Sequence, residues 1–230
     1  MLSSKTKIFG LTTFFLFIFC FVLNLVSVLC NIDSINNAGS LKGTMILLLI
    51  FEILISIVLI VNSSVGINKL VKHEDRDASF RRASDGVGGF GVYVAFSEFY
   101  ALYLVSELYK QYGLTYKVPA ILIVIIVLTI IAIILAALGS IKSLKLSPAA
   151  RSLLLAISSL LMVVVLIIII SQGQQKALTI IEYVFLMLTL FSSIVFAYFC
   201  YEDQKAELNN TQNQVDIHIP PVEDNNQNQQ

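Results

Sequence analysis

Long apolar runs separated by short polar segments dominate the chain. The clearest run, residues 118–138, holds 21 residues, carries no charge and has Thr129 as its only hydrogen-bonding side chain. As a helix it is about 30 Å long, which matches a bilayer's hydrocarbon core, where a helix satisfies its own backbone groups. Its Ile and Val would suit a buried strand, but strands rarely exceed about ten residues. The run therefore predicts a membrane-spanning helix.

Five further runs have the length of a span, and together they predict an all-α, polytopic transmembrane helical bundle over residues 1–201. The predicted spans are 8–30, 44–65, 86–108, 118–138, 152–171 and 177–201. A secretory signal is the alternative for the first run, but 23 residues exceed the roughly 7–15 of a signal's apolar core. The residues just before Cys30 also lack the small residue that cleavage requires.

The segment 86–108 decides between six spans and five. It is long enough to span but contains Glu98, Glu107 and several Tyr and Phe residues, so a span and an interfacial helix both fit. With six spans, eleven Lys and Arg residues fall on the side of the two termini and four on the other side; with five spans the split is ten to five. The positive-inside rule favours six spans, with the N and C termini in the cytoplasm of a cell membrane or endomembrane.

Two polar segments complete the predicted organisation. Residues 66–85 contain five basic and four acidic side chains, which predicts a solvated loop. Residues 202–230 are rich in Asn and Gln, contain Pro220-Pro221 and have six acids to one Lys. Because such a composition cannot bury enough apolar surface, we expect a disordered cytoplasmic tail.

The amino-acid composition indicates that most of the chain is surrounded by lipid, and it argues against nucleic-acid binding and metal binding. Hydrophobic residues make up 57% of the chain, charged residues 13%, and the mean hydropathy is +0.84. The 15 basic and 15 acidic side chains balance, so nucleic acid is not an expected partner. The cysteines, Cys20, Cys30 and Cys200, lack metal-ligand spacing, and we expect no metal site.

Four glutamates lie in or at the edge of predicted spans and are the candidate residues for binding an ion or a substrate. They are Glu52, Glu98, Glu182 and Glu107. With six spans, all four fall in the outer half of the membrane or near its midplane, where they could share one outward-facing cavity. Carboxylates in hydrocarbon are costly and usually mark a proton or cation pathway or a site for a cationic substrate. The alternative is a protonated side chain that hydrogen-bonds to Ser, Thr or Tyr on a neighbouring helix.

Two short motifs near the third span have structural alternatives. Gly86, Gly88 and Gly91 match the dinucleotide pattern GxGxxG, but the βαβ context that this pattern needs is absent. We expect these glycines to give a flexible entry to the span and to permit close helix packing. Arg81 and Arg82 precede Ser84 as in a basophilic kinase site, so Ser84 is a possible phosphosite; the alternative is an ordinary basic loop.

Enzymatic motifs are missing from the sequence. The two histidines, His73 and His218, lie in the charged segment and the tail, and neither GxSxG nor HExxH occurs. We expect neither enzymatic activity nor a cofactor. Two functions remain open. One is an accessory or assembly subunit whose tail binds a cytoplasmic protein, and the other is a transporter or channel for protons, cations or a cationic solute, built on Glu52 and Glu98.

Overall fold

Six long helices form the described part of the protein. The structure is a computed structural model, and it describes residues 2–30, 41–115, 117–144, 146–172 and 177–217. The helices within these ranges are α1 (Ser4–Cys30), α2 (Lys42–Lys72), α3 (Arg76–Gln111), α4 (Ala120–Ser140), α5 (Pro148–Ser171) and α6 (Ala177–Ile217). Each is long and apolar enough to cross a membrane. The predicted all-α bundle of six spans is confirmed, with residues 86–108 inside α3.

The helices form a closed ring, and one of them also makes contacts across it. Each helix packs on its neighbour in sequence, and α6 packs back on α1. The helix α3 also contacts α1, α5 and α6 across the bundle, so it touches all five others. Short connections make sequence neighbours antiparallel. We call the end with the start of α1 and the last part of α6 the N/C end, and the opposite end the far end.

Glycines let α3 approach the helices around it. A Cβ atom on Gly86 would lie 3.1 Å from the Phe17 ring of α1, and one on Gly89 would lie 2.5 Å from Leu59 of α2. Gly91 packs equally closely against α4. The predicted close packing is therefore confirmed at Gly86 and Gly91, whereas a Cβ on Gly88 would make an ordinary contact with Ala136 at 3.4 Å. The predicted flexible entry is wrong, because α3 runs without a break from Arg76.

The predicted loop at 66–85 is wrong for most of its length. The helix α2 continues to Lys72 and α3 begins at Arg76, which leaves a turn of residues 73–75. Glu74 closes this turn with φ of 46°, and Asp75 caps α3 by accepting a hydrogen bond from Ala78 N at 2.9 Å. The segment is helical because its apolar residues recur at helical spacing and are buried, while its charges lie on the other face.

The last helix extends past the predicted end of the bundle. The predicted tail begins at residue 202, but α6 continues to Ile217, so residues 202–217 are helical. Polar contacts with the start of the chain stabilise the first part of this extension. Asp203 accepts hydrogen bonds from Ser3 N at 3.0 Å and from Thr6 Oγ1 at 2.8 Å. The rest of the predicted disordered tail, residues 218–230, lies outside the described residues.

Charged pairs complete this network at the N/C end. The Lys7 ammonium lies 2.6 Å from Glu74 and holds the pKa of that carboxyl below its usual value. Arg76 at the start of α3 forms an ion pair with Glu207 of α6 at 3.1 Å. The start of α1, the α2–α3 turn and the extension of α6 are thereby joined at one end of the bundle.

A glycine pair on α2 tests how much the bundle depends on close approach. We expect Gly66→Ala to destabilise the protein by about 1–3 kcal/mol, because its Cβ would collide with the fully buried Phe14 ring. Gly43→Ala is the control, since a Cβ there meets no atom within 4 Å among the described residues. Both changes raise helix propensity, so a difference between their thermal unfolding midpoints in detergent reports the contact. Equal midpoints would contradict this account.

Candidate functional site

Three of the four candidate glutamates lie on three different helices in the far half of the bundle. Glu52 is on α2, Glu98 on α3 and Glu182 on α6. At 1.5 Å per residue they lie about 15, 20 and 8 Å from the far ends of their helices. The Glu182 side chain is buried, with 4% exposed, while Glu52 and Glu98 are half-buried.

Electrostatic interactions link the three carboxyl groups, two of them directly and the third through a tyrosine. Glu52 and Glu182 interact electrostatically, and the phenol of Tyr183 interacts with all three glutamates. Among the described residues, no Lys or Arg forms an ion pair with any of them. The fold thus gathers three acidic groups without a basic partner, and we call Glu52, Glu98 and Glu182 the glutamate site.

Glu107 does not belong to the glutamate site. It lies near the far end of α3, where the Lys110 ammonium is 2.6 Å from its carboxylate one turn further along the helix. Both side chains are partly exposed. The outward-facing cavity expected for all four glutamates therefore reduces to a grouping of three.

Ser84 lies in a position that argues against the phosphosite prediction. Its side chain is fully buried in the first half of α3 and faces α4, where a Cβ on Gly139 would lie 3.3 Å from Ser84 Oγ. A kinase cannot reach a hydroxyl that has no contact with solvent. The basic residues before Ser84 were read as belonging to a loop, but they lie on a helix that buries this face.

A buried hydrogen-bonded triad adjoins the glutamate site. Asn24 of α1 donates from Nδ2 to Ser56 Oγ of α2 at 2.8 Å, and Tyr93 of α3 donates from its hydroxyl to Asn24 Oδ1 at 3.0 Å. All three side chains are buried. Tyr93 also interacts electrostatically with Glu52 and Glu182, which places the triad next to the glutamate site. Sequence reasoning missed the triad, although a lone amide inside the apolar run of α1 was its signal.

Aromatic side chains surround the α2 and α3 members of the glutamate site. The rings of Phe51 and Phe96 stack with centroids 3.7 Å apart, and Tyr100 lies one turn beyond Phe96. The Tyr100 hydroxyl is buried, has no hydrogen-bond partner among the described residues and interacts electrostatically with Glu52. It is an uncommitted donor beside a carboxyl group.

The three carboxyl groups of the glutamate site are placed to act separately and not as joint ligands of one ion. Within the described residues, no three or more His, Cys, Asp or Glu side chains lie in positions to hold one metal ion. Glu52 and Glu182 interact with each other, and Glu98 shares with them the neighbouring Tyr183 phenol. Such an arrangement fits the uptake and release of protons by separate carboxyl groups, which needs no shared coordination sphere.

Comparison with known proteins gives no match: no family model, no curated protein and no solved structure matches this chain. The fold defines the class, an α-helical protein with six helices able to span a membrane. The activity has to be argued from the chemistry of the site itself.

The triad gives a stability prediction. We expect Tyr93→Phe to lower stability by about 1 kcal/mol, because it removes an interhelical hydrogen bond and leaves Asn24 Oδ1 without its donor. Tyr103→Phe is the control, since the Tyr103 side chain is 48% exposed on the same helix. Thermal unfolding in detergent measures both. A loss of equal size in the two variants would argue that the triad hydrogen bond adds nothing.

Proposed function

We propose that the protein is a proton transporter or channel in which Glu182, Glu52 and Glu98 bind and pass protons. The observation that carries the proposal is the burial of Glu182 within electrostatic range of Glu52, with no basic partner among the described residues. Intramembrane carboxyl groups are expensive to maintain, and they occur characteristically in proton relays. Their separation, without a common coordination point, favours the proton over a metal cation.

Buried hydroxyl groups continue from the glutamate site toward the N/C end along α6. Thr189 lies two turns beyond Glu182 and is fully buried. Ser193 follows one turn later and bonds to Ser159 of α5, with the two hydroxyl oxygens 2.7 Å apart. Thr189 and Ser193 donate to backbone carbonyls of α6 at 2.8 and 2.7 Å, so each can accept a hydrogen bond and passes a proton on only after that bond is released. In that way the series supports a route for protons through the second half of the bundle.

The charge distribution supports an orientation for this route. The N/C end carries most of the basic residues, which the positive-inside rule assigns to the cytoplasm. In that orientation the glutamate site lies in the half of the membrane away from the cytoplasm. Protons then enter from that side and leave past the basic N/C end.

A pair of matched glutamate variants tests the proposal. In liposomes with an internal pH-sensitive dye and an imposed membrane potential, we expect Glu182→Gln to reduce proton flux to the level of empty liposomes. Glutamine keeps the size of the side chain but cannot take up a proton. Glu107→Gln should keep the flux of the parent, because Glu107 lies at the rim in its own ion pair.

Both variants should elute as the parent does from size-exclusion chromatography in detergent, which establishes that the fold is intact. Flux through Glu182→Gln equal to the parent, or no flux through the parent above empty liposomes, would exclude the proposed function.

The extension of α6 favours a second function, that of an interaction subunit. This helix continues beyond the contacts of Asp203 and Glu207 at the N/C end, and Leu208 on it is 61% exposed. Asn209 and Asn210 beside it are exposed as well, and these side chains offer a surface to a cytoplasmic protein.

The second function is tested by replacing residues 208–230 with a Gly/Ser sequence of the same length. We expect a protein that copurifies with the full chain from native membranes to be lost from this variant, because its docking arm is gone. Proton flux should stay unchanged, since the glutamate site is at the other end of the bundle. An identical set of copurifying proteins in both preparations would count against an interaction role.

A further inference from the structure

A groove on the outer surface of the bundle runs between α2 and α3. Its volume is about 540 Å³, and its wall is mainly apolar, with Ile55, Val58 and Val61 of α2 along it. Val58 and Val61 are 59% and 56% exposed. In a membrane this surface faces lipid, so an acyl chain is the natural occupant of the apolar part.

Two opposite charges stand at one end of the groove. Arg82 and Asp85 of α3 both line it, with Arg82 Nη1 and Asp85 Oδ2 4.0 Å apart. Their side chains are 43% and 42% exposed, so each keeps an accessible face. A surface pair at this distance is weakly bound and leaves room for another charged group.

Asn62 of α2 holds the guanidinium in position. Its Oδ1 accepts a hydrogen bond from Arg82 Nη1 at 3.0 Å, and its Nδ2 donates to the Arg82 carbonyl at 2.8 Å. Asn62 is itself buried, with 8% exposed. The arginine therefore has a fixed orientation before any ligand arrives, which lowers the entropy lost on binding.

The charges lie at the depth of lipid headgroups. Arg82 and Asp85 come just before the apolar stretch 86–108, which is predicted to cross the hydrocarbon. The apolar wall extends from there toward the far end. The groove thus has its polar end at the membrane surface and its apolar end in the hydrocarbon, as a phospholipid does.

A second outward groove provides a contrast. It lies between α1 and α6, has a volume of about 860 Å³, and has Thr12 as the one polar residue among those that line it. No charged residue is among those that line it, so this groove offers acyl chains a surface without a charged group to bind a headgroup.

We propose that the α2–α3 groove binds one phospholipid whose headgroup carries a phosphate and a primary ammonium group. The acyl chain lies along Val58 and Val61, the phosphate binds Arg82, and the ammonium binds Asp85. Arginine has five N–H donors, and the bond to Asn62 uses one of them, so donors remain for phosphate oxygens. A headgroup with phosphate but no ammonium brings its negative charge against Asp85 without compensation.

Native mass spectrometry tests the proposal on the full chain, reconstituted with equal phosphatidylethanolamine and phosphatidylglycerol and then extracted in mild detergent. We expect the parent to retain phosphatidylethanolamine preferentially. Arg82→Gln should retain it about tenfold less, which corresponds to one lost charge-assisted hydrogen bond. Arg81→Gln is the matched control, since it removes the same charge from the adjacent residue, which does not line the groove.

Two further variants separate the parts of the site. Asp85→Asn should shift the preference toward phosphatidylglycerol, because the ammonium loses its partner and the anionic headgroup loses a repulsion. Val58→Trp should reduce retention by filling the groove while both charges remain, which keeps the test valid if Arg82→Gln does not fold. Equal lipid retention by parent and Arg82→Gln, equal losses in Arg81→Gln and Arg82→Gln, or no headgroup preference in the parent would each overturn the proposal.

Discussion

The contacts of α3 with all five other helices are the constraint on which the rest of the structure depends. Its most apolar window has a mean hydropathy of 1.3, against 3.6 for α4, so α3 would be poorly accommodated as a helix surrounded by lipid. Its contacts with the other helices bury polar side chains such as Ser84 and Tyr93. Glycines at the contact points make this possible, since a larger side chain there would hold the neighbouring helices away.

The same helix supplies residues to each polar feature of the bundle. Tyr93 belongs to the buried triad, Glu98 to the glutamate site, and Arg82 to the mouth of the α2–α3 groove. A central helix can offer different sides to different neighbours at different depths. Some of this polarity is buried against other helices, as at Tyr93, and some stays accessible at the surface of the bundle, as at Arg82.

Sequence patterns were sufficient for the helices but not for the contacts between them. Length and apolarity predicted each span. The charged residues from 66 to 85 were misread as a loop, because their number hid the helical spacing of the buried Leu70, Phe80 and Ala83. Charge content alone does not distinguish a loop from the solvated face of a helix.

Contacts between residues far apart in the chain were beyond the sequence. The bonds of Asn24 to Ser56 and Tyr93 depend on the rotation of three helices about their axes, which no local pattern fixes. The same holds for Asp203. The composition of the segment around it suggested a tail, but its hydrogen-bond partners lie 200 and 197 residues away in the sequence. The position of a residue along a helix can be counted from the sequence, whereas the neighbour that its side chain faces is decided by how the helices pack.

The contact between α1 and α6 also has a consequence for biosynthesis. Because the ring closes between the first and last helices, the face of α1 that receives α6 remains uncovered throughout most of translation. Five helices leave the ribosome before their last neighbour exists, so the nascent bundle is an open arc. Ser3 and Thr6 find Asp203 only when synthesis has passed the final span.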